Sequence, residues 1–387
     1  MCGMGGINMK KKRILLITSS LDNGGAEKWV LNTIYNMDRS DIEIAYYFWG
    51  DIRQDTFLEK YNSMGIKTYF RKLNNKLLPV FILLGMDLTH FIQLTGPYDA
   101  IHVNGTKLLY QAICMWVSRK AEIPVRIVHC HSMANSNLSG IKKYIRKLLR
   151  NSIKHNATCI AACTKQAGQA KYGKSILKSS KFDVFKNGID LEQYVFSEEK
   201  RKVLRKKYNL ENTFVLLHIG RMEYEKNHIL LLKIFKKITE YENRAKLLLV
   251  GNGTLERSIF NYAKQLGISE KVIHISYTQE PENYYSVADV FILPSLYEGQ
   301  GLVLLEALAN GLPRIASDGV PQLVNLDEHM QVVSLKAPLN EWIYAIENMR
   351  KEGRYTDGIK NLRKQGYDIK QTAAHVKQIL CQQCGGL

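Results

Sequence analysis

Short apolar runs alternate with amphipathic stretches along nearly the whole chain. In the first half such runs fall at 13–18, 42–48, 66–70, 100–103 and 125–129, and in the second at 214–219, 246–250 and 287–294. Between them, apolar residues recur at helical spacing. A strand that is apolar throughout must be covered on both faces, and strands that alternate with helices pair in parallel with those helices as the cover. The expected fold class is therefore α/β, built on parallel sheets. At 387 residues the chain exceeds what one core usually holds, so two domains are expected.

The most informative stretch is 291–318, FILPSLYEGQGLVLLEALANGLPRIASD. It reads as strand, loop, helix (302–310) and strand (313–317), with Gly311 stopping the helix. The loop carries Glu298, Gly299, Gln300 and Gly301; Leu302 opens the helix, and Glu306 lies within it. A loop entering a helix N-terminus presents free N–H groups and the positive end of the dipole, which suits a phosphate or a sugar oxygen. Carboxylates belong there if the ligand also bears hydroxyls, since each ionised carboxylate accepts two of them. A nucleotide sugar has both parts. The plainer reading makes Glu298 a solvated loop residue and Glu306 an exposed helix residue.

Glu298-Gly-x-Gly-x-x-x-x-Glu306, followed by Ala307, Gly311-Leu312-Pro313 and Ser317-Asp318, resembles the signature of glycosyltransferase family 4. Those are retaining transferases of the GT-B fold, with two Rossmann-like domains and the site in the cleft between them. A second block fits the resemblance. After the run 214–219 come Gly220, Arg221, Lys226 and Asn227. Arg binds a diphosphate bidentately and Lys acts as a point charge, while Asn227 suits the N-cap of the helix that follows. Near the N-terminus, Gly24 and Gly25 stand between the first strand and a helix starting near Ala26, where the family's loop faces the donor. His129 and His131 sit at a strand's carboxyl end, where ligands of open α/β sheets bind. The family's histidine is assigned to His131, with His129 the alternate. Residues 186–190, KNGID, resemble the turn that leads into the second domain, and 277–281 would lie near the base. Two positions depart from the pattern. Gln300 stands where the family often has Pro or Phe, and Val320-Pro321-Gln322 where many members have a Glu.

Charge is unevenly placed. Of the formal +18, residues 1–180 supply the greater part, with 26 Lys+Arg against 11 Asp+Glu; residues 181–387 hold 28 against 25. A basic half implies an anionic partner. Residues 141–155, IKKYIRKLLRNSIKH, carry Ile141, Tyr144, Ile145, Leu148 and Leu149 on one helical face and Lys142, Lys143, Arg146, Lys147 and Arg150 on the other. Such a helix suits an anionic lipid surface, or else docks its apolar face on the core. No nucleic-acid module is recognisable. The longest apolar run, 77–86, is too short to span a bilayer, and residues 14–17 are too brief for a secretory signal. Met9 is a plausible start. Seven scattered cysteines suit a reducing cytoplasm, and Cys381-x-x-Cys384 is a lone pair.

The resemblance implies a cytoplasmic enzyme on the inner face of the membrane, with domains at 9–190 and 191–365 and a tail helix at 366–387 packing back on the first. It would move a hexose or N-acetylhexosamine, with retention, from a nucleotide sugar, expected to be a UDP-sugar, to a lipid-linked saccharide of surface-polysaccharide synthesis. Arg221, Lys226, Gly24, Gly25 and Gly220 would face the diphosphate. Glu306 would hold the ribose, Glu298 with Gly299, Gln300, Gly301 and Leu302 the sugar, and His131 would orient sugar and phosphate. Metal-dependent transferases typically use an Asp-x-Asp motif. The chain has none, so neither metal nor cofactor is expected. The alternatives are a GT-B sugar-nucleotide epimerase and a non-catalytic partner subunit of the same fold.

Overall fold

A computed structural model describes residues 11–19, 25–49, 55–71, 79–105, 107–131, 140–278, 280–320 and 329–382. Gly24, Pro321, Gln322, Gln279 and Cys384 lie outside them. The chain divides into two compact units, residues 1–188 with 369–387, and residues 189–368.

The first unit is a seven-stranded parallel sheet: β1 (Lys12–Thr18), β2 (Ile42–Phe48), β3 (Lys67–Phe70), β4 (Ala100–Asn104), β5 (Val125–Cys130), β6 (Cys159–Ala162) and β7 (Phe182–Val184), in the order β3-β2-β1-β4-β5-β6-β7. The apolar runs explain the two-sided burial. Leu15 and Ile17 join Tyr47, Ile101, Val103 and Val128 in one core; Ile14 and Leu16 join Ile44, Tyr46, Ala100 and Ile127 in the other. Successive side chains of one strand thus feed opposite faces. The C-terminal helix Ile369–Cys381 belongs to this unit and puts Ala373, Val376 and Leu380 into the second core.

The second unit is a six-stranded parallel sheet: β8 (Phe214–Ile219), β9 (Ala245–Val250), β10 (Val272–Ile275), β11 (Val290–Leu293), β12 (Arg314–Ser317) and β13 (Met330–Val333), in the order β10-β9-β8-β11-β12-β13. The order reverses between β8 and β11, which pair at Val290↔Leu216 and Phe291↔Leu217. A doubly wound sheet binds its ligand at such a reversal, outside the carboxyl ends of the strands. The reversal brings the loops carrying the two sequence motifs side by side.

Two local expectations change. The charged helix Glu198–Lys207 reads as a linker, yet it is anchored in the second unit: Arg201 Nη2 lies 2.6 Å from Asp289 Oδ1 and Arg205 Nη2 3.1 Å from Asp289 Oδ2. The four-residue strands β6, β10 and β13 are not read from the sequence, although β3, β11 and β12, which are, run no longer.

Candidate active site

In the second unit, two loops are stitched together by backbone and side-chain bonds. The Leu296 amide donates to Glu225 O at 2.8 Å, and Asn227 Nδ2 donates to Pro294 O at 3.2 Å. Asn227 occupies the N-cap position in the left-handed region, φ 54°, rather than the extended conformation usual for a cap, and makes no capping bond. Lys226 Nζ lies 2.5 Å from Glu298 Oε1, with both side chains mostly buried. The same carboxylate oxygen accepts from Ser295 Oγ at 2.7 Å, and Ser295 O accepts in turn from Ser317 Oγ. Lys226 retains donors beyond the one given to Glu298, so it can hold a phosphate oxygen and a fixed carboxylate together. Arg221, 75% exposed, pairs with Glu225 at 2.9 Å. Gly251 is required by close approach: at φ +129°, a Cβ there would meet Gly220 O, at the start of this turn, at 2.2 Å.

Beneath this turn lie two histidines that the sequence reading passes over. His218 is fully buried and its Nδ1 lies 2.9 Å from Ile292 O. That carbonyl can only accept, so Nδ1 carries the proton. Burial, with His228 and Lys226 nearby, holds the imidazole well below its ordinary range. His228 is pushed down to about 4 by burial and by Lys226. Both rings are therefore neutral packing groups under the cationic turn.

Glu306, on the helix Leu302–Ala309, accepts from the Tyr285 hydroxyl at 2.6 Å. Tyr285 is fully buried, and burial drives its phenol well above its ordinary range, so it stays a donor. Glu306 is thus a fixed, partly buried carboxylate rather than a solvated helix residue. Tyr285 and Ser295 orient the two carboxylates, and no spacing in the sequence marks either. Gly301 turns the chain into the helix at φ +65°, while a Cβ on Gly299 would meet nothing within 4 Å.

In the first unit, His131 follows β5, with Nε2 3.4 Å from Asn104 Oδ1. Its ring centroid lies 3.9 Å from that of His129 and 5.2 Å from that of Trp29. His129 is fully buried, so of the two His131 is the nearer to solvent. His102 on β4 completes a cluster that spacing did not reveal, with its ring 5.6 Å from His129. Burial holds His102 and His131 down at about 3. Among the described residues, no group of three or more His, Cys, Asp or Glu is placed to hold a metal ion. Gly25 begins the helix Gly25–Tyr35.

The basic helix spans Ile141–Asn156. Four of the five stripe residues do not dock: Ile141 is 75% exposed and Tyr144 62%, with Ile145 and Leu148 also exposed. Leu149 packs against the core and Ile153 is buried within it. Lys142, Lys143 and Lys147 are exposed. Arg150 differs from its neighbours, because its guanidinium donates to Lys171 O and Ala170 O at 3.0 and 2.9 Å, at the end of the helix Lys165–Tyr172. Among the described residues, no helix is long and apolar enough to cross a membrane.

Residues 200–331 match the family described as Glycosyl transferases group 1. The Bacillus subtilis (strain 168) protein EpsF, whose own glycosyltransferase assignment is provisional, is 29% identical over 372 residues, 94% of this chain and 95% of that one. An Escherichia coli UDP-Gal:alpha-D-GlcNAc-diphosphoundecaprenol alpha-1,3-galactosyltransferase is 26% identical over 227 residues, 57% of this chain and 58% of that enzyme. The crystal structure of Anabaena HepE in complex with UDP superposes with a TM-score of 0.75 at 18% identity, covering 95% of this chain and 99% of that one. The complex of HepE with UDP-glucose gives 0.72. At such identity the likeness establishes the fold, which is GT-B.

Proposed function

We propose that this chain, a glycosyltransferase of the GT-B fold, transfers a hexose or N-acetylhexosamine with retention from a UDP-sugar to a lipid-linked saccharide, as a family 4 enzyme of surface-polysaccharide synthesis. The observation that carries the reading is the Lys226–Glu298 pair, set where the strand order of the second unit reverses. A cation and a carboxylate locked together there match a ligand that carries a diphosphate next to hydroxyls. The UDP complexes of HepE and the undecaprenyl-linked acceptor of the Escherichia coli relative support the choice of donor and acceptor classes.

Cleaving the glycosyl–phosphate bond builds negative charge on the departing diphosphate. Arg221 and Lys226 stabilise that charge, a role best served by donors held in place before the reaction. Glu306, oriented by Tyr285, accepts from the ribose hydroxyls, and Glu298 accepts from the sugar. His131 orients the sugar and phosphate as a neutral ring. No side chain is assigned as nucleophile; the acceptor hydroxyl attacks from the face the diphosphate leaves. The cationic groups take the role a divalent ion plays elsewhere, so no metal is required. The exposed stripe and lysines of the helix Ile141–Asn156 hold the enzyme on an anionic leaflet, where a lipid-linked acceptor is found.

The test is transfer of label from UDP-glucose, UDP-galactose and their N-acetylated counterparts into a lipid-extractable product, with the anomeric configuration read by NMR. Turnover of a UDP-sugar without any acceptor would favour the epimerase instead. If no UDP-sugar is bound or consumed, the nucleotide-sugar reading fails.

A further inference from the structure

An open cavity of about 690 Å³ in the second unit is lined by four arginines, Arg201, Arg205, Arg350 and Arg354, and by two carboxylates, Asp289 and Glu242. It sits at the amino ends of the central strands. Phe214, the first residue of β8, lines it, and Asp289 immediately precedes β11. These strands are parallel, so the Lys226–Glu298 pair lies at their other ends, a strand length or roughly 20 Å away.

The charges around the cavity do not balance. Asp289 is shared by Arg201 at 2.6 Å and Arg205 at 3.1 Å. Arg350 reaches Glu242 at 3.2 Å and, outside the lining, Glu347 at 4.0 Å. Arg354 has no ion pair among the described residues. Its guanidinium donates to the carbonyls of Tyr285, Ser286 and Ala288 at 3.0, 3.1 and 2.7 Å, which satisfy its donors but carry no charge to offset it. Burial, with Arg201 and Arg205 nearby, pulls Arg354 down to about 9. Even with Glu347 included, the cations outnumber the anions. Two of the guanidiniums are held flat, Arg350 over the Phe214 ring at 4.4 Å and Arg354 over the Phe196 ring at 4.2 Å. Stacking occupies the face of a guanidinium and leaves its edge for oxygen. Arg350 is the least committed of the four. Its hydrogen bonds among the described residues both end on one oxygen of Glu242, whereas an arginine carries five donors.

We propose that this cavity binds a small phosphate-bearing anion, at a site separate from the one at the carboxyl ends of the strands. A phosphate carries more than one negative charge at neutral pH and points its oxygens in several directions. It therefore meets arginines that converge from two elements, the helix Glu198–Lys207 and the end of the helix Leu339–Glu352. A carboxylate, with a single charge and both oxygens in one plane, matches fewer of them.

The test is calorimetric titration of the full-length protein with inorganic phosphate, and separately with acetate, at an ionic strength fixed by chloride. Phosphate should bind, and acetate at least about tenfold more weakly. Arg350→Gln should weaken phosphate about tenfold, as for one charge-assisted hydrogen bond lost. Glu242→Gln frees Arg350 and removes a negative charge, so it should tighten phosphate. If Arg350→Gln does not fold, the shift in Glu242→Gln decides alone. Absence of phosphate binding, or an affinity unchanged in both variants, overturns the proposal; loss in Arg221→Ala instead would put the phosphate at the diphosphate turn. Equal binding of acetate overturns the choice of ligand.

Discussion

The ammonium of Lys226 lies 2.5 Å from Oε1 of Glu298, although the two residues stand on loops that follow different strands. Both side chains are nearly out of solvent, so each depends on the other. Breaking a buried pair by removing one partner leaves an uncompensated charge and typically costs about 3–5 kcal/mol. Lys226→Ala should lower both stability and transfer, with transfer falling about tens- to thousands-fold for loss of a contact to developing charge. The double variant Lys226→Met, Glu298→Gln should recover most of the stability and none of the activity. Thermal melts and transfer assays on the same samples separate the two effects, and recovered activity in the double variant would remove the pair from the site.

Arg221 is exposed and paired only locally, so it offers a cleaner test of the diphosphate role. Arg221→Ala should leave the melting temperature nearly unchanged while reducing transfer at least tenfold, about 1.4 kcal/mol of lost stabilisation. Wild-type turnover would exclude Arg221 from diphosphate binding, and wild-type turnover in Lys226→Ala as well would exclude the turn.

Tyr285 donates to Glu306 from a fully buried position. Tyr285→Phe keeps the ring and deletes that bond, worth about 1 kcal/mol. UDP should then bind about fivefold more weakly, and the loss should be common to all UDP-sugars whatever the sugar. An effect confined to one sugar would mean that Glu306 does not hold the nucleotide.

The C-terminal helix is tied to β7 by His375 Nε2 and Asp183 Oδ2 at 2.8 Å. The bond raises His375 above its ordinary 6.5 and lowers Asp183 below 3.8. The raised histidine stabilises the fold below its unfolded value, and that contribution is lost as pH rises through the folded one. The lowered aspartate stabilises above its unfolded value, with loss as pH falls. The pair is therefore at full strength between those ordinary values. Both groups are partly exposed, so the effect is small. The melting-temperature gap between wild type and His375→Gln should be open near pH 5.5 and closed by about pH 8.5. A gap independent of pH would show that the ion pair contributes nothing.

Lys142, Lys143, Arg146 and Lys147 changed together to Glu should abolish sedimentation with anionic vesicles while leaving donor hydrolysis intact. Each cation near an anionic leaflet contributes roughly 1 kcal/mol, screened within a Debye length, so salt should release the wild type. Binding indifferent to lipid charge would sink the membrane role. In parallel, transfer should persist in excess chelator, and a loss reversed by Mg²⁺ would require a metal.

Much of this molecule is already legible in its residue pattern. Runs such as 13–18 and 214–219, apolar at nearly every position, can only be strands covered on both faces, which entails the parallel sheets. Glycines at 220, 299, 301 and 311 punctuate the two motifs at positions where a loop must turn into or out of a helix. The amphipathic split of 141–155 is likewise a property of spacing alone. What the spacing left open was whether the apolar stripe docks, and the structure leaves Ile141, Tyr144, Ile145 and Leu148 exposed.

Other features depend on strand order, which no local pattern encodes. Lys226 and Glu298 meet because β8 and β11 are neighbours, 72 residues apart in the pair that joins them. Packing within the second unit likewise puts Tyr285 against Glu306 and Asn227 against Pro294, and packing within the first gathers His102, His129 and His131 around Trp29 and ties Arg150 to Lys171. Periodicity determines which face of an element is buried, because burial needs only a repeat along one segment. Which side chains become partners is decided by tertiary structure, because a hydrogen bond or ion pair needs two segments brought to within about 3 Å, and only the packed sheets set that distance.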